Sequence, residues 1–160
     1  MLSLTILAVG RLKDRFYEDA AKEYLKRLSA YAKVAVTEIR AADLPERPSQ
    51  AEISAALEKE GGELLKKIPA DAAVVAMCVE GKQQSSEELA AYLDKTALGG
   101  TSHVVFLIGG SYGLSEEVKR RATLRLSMSK MTFPHRLARV MLLEQLYRAF
   151  KISRGESYHK

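Results

Sequence analysis

Apolar residues follow two alternating rhythms along this chain. Short, nearly unbroken runs rich in Val, Ile and Leu occupy positions 2–9, 33–39, 72–79, 103–108 and 124–129, the pattern of strands buried on both faces. Between them the apolar spacing widens to three and four. Phe16, Ala20, Tyr24 and Leu28 predict a helix from Asp14 to about Ala30, and a second covers about Ser49 to Ile68. A third opens at Ser85, where Glu88 completes an S-x-x-E capping box; a fourth follows Ser115; a fifth follows Pro134 and runs to about Ser153. Alternating strands and helices predict crossover connections, hence an α/β fold with a mainly parallel sheet flanked by helices. The length of 160 residues predicts one domain over 1–160.

In open α/β sheets, ligands bind beyond the carboxyl ends of the strands. The turns there read "GRLK", "EGKQQSS", "GGSYGLS" and "KMTFPHR". The pair Gly109 and Gly110 has two readings: a tight strand-to-helix turn, or a backbone surface kept bare for a ligand. Several chemistries are excluded. "GGSYG" lacks the G-x-G-x-x-G spacing of a dinucleotide fingerprint, and there is no G-K-[ST] phosphate loop and no serine elbow. The three histidines, His103, His135 and His159, lack metal-ligand spacing, and the lone Cys78 reads as a core thiol in a reducing compartment. No metal is expected. Without an 18-residue apolar run or a charged-then-apolar leader, the expectation is a cytoplasmic protein with no membrane partner.

Charge adds a polarity that the hydrophobic pattern lacks. Residues 1–118 carry 14 Lys and Arg against 18 Asp and Glu, a net of −4, whereas residues 119–160 carry 11 against 2, a net of +9. A basic quarter is either a solvated face or a footprint for a polyanion. The last helix, "HRLARVMLLEQLYRAFKIS", is apolar nearly all round, which predicts burial on more than one side and a second subunit. Arg139 falls within its apolar arc. It is either paired structurally or reserved for a ligand, and the ligand is favoured because an unpaired buried charge is costly. The tail "SRGESYHK" could be a flexible end, yet Arg154, Tyr158, His159 and Lys160 combine cations with stacking rings, as in proteins that hold unpaired RNA bases.

"FLIGGSYGLS" together with "LSMSKMTFPHRLARVMLLEQLYRAFKISRGESYHK" and "LTILAVGRLK" resembles the RlmH family, the SPOUT-class methyltransferases that methylate N3 of a pseudouridine in the decoding-centre helix of 23S rRNA. The resemblance covers the whole chain. It implies a carboxyl-terminal trefoil knot, which general topology rules disfavour, a homodimer with an active site shared between subunits, and S-adenosylmethionine as cofactor. By position it implies a cofactor site of Met77, Gly109, Gly110, Met128, Ser129, Lys130, Met131, Thr132 and Phe133. It likewise implies substrate contacts from His135, Arg139 and Lys160, and catalytic roles for Arg154, Tyr158 and His159. Similar proteins often carry Leu in place of Met77 and an acidic residue in place of Cys78, so a carboxylate role at 78 is lost here. Loss of the N3 proton could be aided by His159, by water, or by Arg154 stabilising the anion. The alternatives are a non-catalytic RNA-binding module of ribosome assembly and a nucleotide-dependent oxidoreductase.

Overall fold

A computed structural model describes residues 1–160. Five strands, β1 (Ser3–Val9), β2 (Lys33–Ile39), β3 (Ala73–Gln83), β4 (His103–Ile108) and β5 (Leu124–Ser127), form one sheet in the order β2-β1-β4-β3-β5. Every pairing is parallel. The crossovers are α1 (Arg15–Leu28), α2 (Gln50–Lys66), α3 (Ser86–Leu98) and α4 (Glu116–Arg121), and α5 (His135–Ser153) closes the chain.

The period of two in the strands divides the core between the two faces. Leu4, Ile6 and Ala8 of β1 and Val104, Phe106 and Ile108 of β4 face α1, α3 and α5. Leu7 and Val9, with Val105 and Leu107, face α2 and α4, where Leu64 and Val118 meet them. Ser49 and Ser85 both cap their helices in full capping boxes with Glu52 and Glu88, each such cap contributing about 1 kcal/mol. No helix is long and apolar enough to cross a membrane.

β3 is longer than the pattern predicts. "EGKQQSS" reads as a turn, but the strand continues to Gln83 after a register shift in which Met77 and Lys82 both pair with Leu126. Gly81 permits this, because a Cβ there would sit 2.8 Å from the Arg125 backbone. Residues 78–80 are thereby pushed out over the carboxyl edge of the sheet, where they wall a pocket.

Candidate active site at the carboxyl edge of the sheet

A pocket of about 710 Å³ opens beyond the ends of β3, β4 and β5, within the range usual for small-molecule sites. Its walls come from the bulged end of β3, the turn 108–114, the loop after β5 and the first turn of α5. Met77, Gly109, Gly110, Met128, Ser129, Met131, Thr132 and Phe133 all line it, as does His135. Lys130 belongs to the same loop but does not line the pocket.

The two glycines do different work. A Cβ on Gly109 would collide with the carbonyl group of Gly113 and lie 2.9 Å from its Cα. Gly113 itself has φ +84°, in the region that favours glycine, and its N–H donates to the Gly110 carbonyl at 3.1 Å. Gly110 has no positive φ, and a Cβ there would meet only Val9, with Cγ1 at 3.4 Å. Position 109 carries the steric demand of this turn. The opposite wall is shaped by short polar contacts: buried Ser127 donates from Oγ to the Ser129 carbonyl at 2.9 Å, and Ser129 Oγ accepts from the Met131 N–H at 3.0 Å. Val79, Tyr112 and Met131 leave an exposed apolar rim.

The bulge also brings in a pair that sequence reasoning missed. Glu80 and Lys119 line the pocket and form a close ion pair. The hydrogen bond from Lys119 holds the Glu80 carboxyl below its ordinary pKa. Burial opposes the Lys119 ammonium, yet its bonds to Glu80 and Glu116 raise its pKa. Burial and the Glu80 charge push the Cys78 thiol up, away from the reactive thiolate. His135, half-buried, has its pKa lowered by burial and by the charges of Arg136 and Arg139, so its imidazole is neutral at neutral pH. Only the strand irregularity between Met77 and Lys82 brings Glu80 here, and no spacing rule would have found it.

The other expected site residues lie elsewhere. Arg139 is 2% exposed. It donates to Glu38 Oε2 at 2.5 Å and to the Gly10 carbonyl at 3.0 Å. Its charge thus has a structural partner, and it lines a separate cleft. The tail does not hang free. Tyr158 packs edge-on against Tyr147 with centroids 4.8 Å apart, and Arg148 lies over its ring at 4.8 Å. His159 Nε2 donates to Glu87 at 2.6 Å, while Nδ1 faces Arg148 at 3.1 Å. Arg154 stacks over Tyr31 at 4.7 Å, and Lys160 is exposed. Tail and pocket occupy opposite ends of α5. No group of three or more His, Cys, Asp or Glu gathers as metal ligands.

A glycine turn, a serine-braced loop and a parallel sheet place a small-molecule pocket beside a basic helix. A family model described as "Predicted SPOUT methyltransferase" matches residues 2–159. The chain belongs to the SPOUT methyltransferase family. It is 54% identical over 159 residues to Ribosomal RNA large subunit methyltransferase H of Pelotomaculum thermopropionicum, covering 99% of each chain. The proteins of that name from Bacillus thuringiensis and Bacillus anthracis are each 53% identical, over 99% of this chain and all of theirs. As a SPOUT methyltransferase, this protein uses a methyl donor, and the expected family resemblance holds across the whole chain.

Proposed function

We propose that this methyltransferase uses S-adenosylmethionine to methylate N3 of a pseudouridine in 23S rRNA. The observation that carries the proposal is convergence: residues 77, 109–110, 128–129 and 131–133, far apart in sequence, meet around one pocket of suitable volume. That pocket fits the donor chemically. Its apolar walls suit an adenine, and the Glu80 carboxylate is the one acidic group able to accept from ribose hydroxyls. When bound, S-adenosylmethionine supplies an electrophilic methyl group. The protein's part is to hold the acceptor nitrogen in line, with reacting atoms about 3–3.5 Å apart, to exclude water, and to take the N3 proton.

We assign that proton to His135. Its neutral imidazole lines the pocket, and it hydrogen-bonds to no protein group, whereas both ring nitrogens of His159 are engaged. Glu80 is a weaker acceptor, because its carboxylate already accepts from Lys119, which lowers its basicity. Arg154, Tyr158, His159 and Lys160 are assigned to the RNA. Ala138 borders the pocket and Arg148 contacts the tail, ten residues or about 15 Å apart along the helix. Within one chain the tail thus rests away from its own pocket. A homodimer across α5 answers this by lending each pocket the partner's tail. The half-buried Leu137, Val140, Met141 and Ile152 support that interface. The trefoil knot belongs to the same proposal: β5 lies beyond β3 at the sheet edge, yet α5 returns to pack on α1 and α3. Action on ribosomes implies a cytoplasmic location. Calorimetry with S-adenosylmethionine tests the pocket: micromolar-range binding that Gly109→Ala abolishes is the expected result. A chain that binds RNA but no donor would instead be an assembly module.

A further inference from the structure

The basic character of this chain is not confined to its last quarter. Residues 1–118 are acidic overall, yet three of their cations converge with Arg139 on a second cleft of about 480 Å³. Arg11 and Lys13 come from the turn after β1, and Lys22 from α1. All three are exposed, and none has a carboxylate within 4.0 Å. The cleft holds two acids, Glu38 and Glu18. Glu38 is committed to Arg139, so the remaining groups sum to three positive charges against one negative.

Arg139 supplies the second, independent observation. Its side chain is 3% exposed, and Nη1 and Nη2 are satisfied by Glu38 and the Gly10 carbonyl. Its Nε–H has no partner. A buried donor without an acceptor is costly, and a fixed donor among unpaired cations is the chemistry of an oxyanion site. The position of the cleft narrows the ligand. It lies on the same carboxyl edge of the sheet as the methyl-donor pocket, and Arg139 follows His135 by one helical turn, about 6 Å.

We propose that this cleft is a phosphate subsite, in which Arg139, Arg11, Lys13 and Lys22 hold the RNA sugar–phosphate backbone next to the target nucleotide. The proposal rests on the rRNA substrate named above. The cleft reads no base; its cations fix the strand so that the target nucleotide enters the neighbouring pocket in register.

The test is binding of a short single-stranded RNA, followed by fluorescence anisotropy across a salt series. The proteins compared are the full-length wild type, the triple variant Arg11→Gln, Lys13→Gln, Lys22→Gln, and the single variant Lys13→Glu. Removing one phosphate contact should lower the slope of log affinity against log salt by about 0.7, which is about fivefold in affinity at 0.1 M salt. S-adenosylmethionine affinity and melting temperature should stay at wild-type values, because the three side chains are exposed and outside the donor pocket. RNA affinity and salt slope unchanged in both variants would overturn the subsite. A wild-type protein that binds no S-adenosylmethionine but shows the slope change would keep the subsite and discard the cofactor assignment.

Discussion

Replacing Gly109 with alanine should damage this protein far more than the same change one residue later. The added Cβ would be driven into the Gly113 carbonyl group, and its nearest neighbours are all backbone atoms, which cannot swing aside. Gly113 is itself held in the left-handed region and bonded to Gly110, so the whole turn must open. Overpacking costs typically about 1–3 kcal/mol, and a clash with backbone belongs at the upper end. For a domain of this size, about 3 kcal/mol lowers the melting temperature by about 6–12 °C. An opened turn also withdraws one wall of the donor pocket, and each 1.4 kcal/mol taken from the binding free energy weakens S-adenosylmethionine about tenfold. At Gly110 the added methyl makes an ordinary contact with Val9 and restricts the unfolded chain, so Gly110→Ala should melt within about 2 °C of wild type or slightly above it. Scanning calorimetry gives the melting temperatures and titration calorimetry the affinities. A Gly109→Ala protein that melts and binds like wild type, or a Gly110→Ala protein worse than Gly109→Ala, would refute the steric account of the turn.

Arg139→Gln leaves Glu38 without its cation. Because the Glu38 side chain is 32% exposed, denaturant unfolding should show a loss of about 2 kcal/mol, below the 3–5 kcal/mol of a fully buried pair. His135→Gln should cut methylation about 10²-fold or more at neutral pH while changing donor affinity far less; equal turnover would remove His135 as proton acceptor. The same residue contributes to pH-dependent stability. Its folded pKa lies below the unfolded value of about 6.5, so acid favours the unfolded state, and stability is lost as pH falls through that value. Melting of the wild type should therefore drop more steeply than that of His135→Gln between about pH 7.5 and about pH 5. Deleting residues 155–160 removes no core residue but does remove surface ion pairs and the half-buried Tyr158 packed on Tyr147, so melting should fall by no more than a few degrees and donor binding should scarcely move. Methylation of ribosomes should fall at least about a hundredfold; turnover within about threefold of the full chain would refute a role for the tail in RNA binding.

Local pattern made much of this fold legible. Each of the five strands overlaps an apolar run and each helix follows its apolar spacing or its cap residues, because burial on two faces and burial on one stripe leave different spacings; β3 alone runs well past its apolar run, to Gln83. The order β2-β1-β4-β3-β5 was not legible, since parallel strands with similar apolar runs carry no mark of their neighbours. The carboxyl-edge turns pointed to the pocket, but which glycine bears the steric load depends on Gly113 folding back over 109, a contact between residues of equal chemistry. Arg139 was visible as a cation in an apolar arc. Its partner Glu38 lies 101 residues away, beyond the reach of any spacing rule. Summed charge concealed the second cleft for a related reason: Arg11, Lys13 and Lys22 are diluted by acids that face elsewhere. Glu80 was hidden by a bulge, a backbone irregularity with no sequence signal except Gly81.

The central claim is that one pocket and two subunits deliver a methyl group to a pseudouridine of the large ribosomal subunit. Mass mapping of 23S rRNA tests it directly, after purified ribosomes are incubated with the protein and isotopically labelled S-adenosylmethionine. The predicted result is one added labelled methyl on N3 of a single pseudouridine in the decoding-centre helix, absent when the tail is deleted. Donor binding without any label in 23S rRNA, or label on a different RNA or a different base, would contradict it.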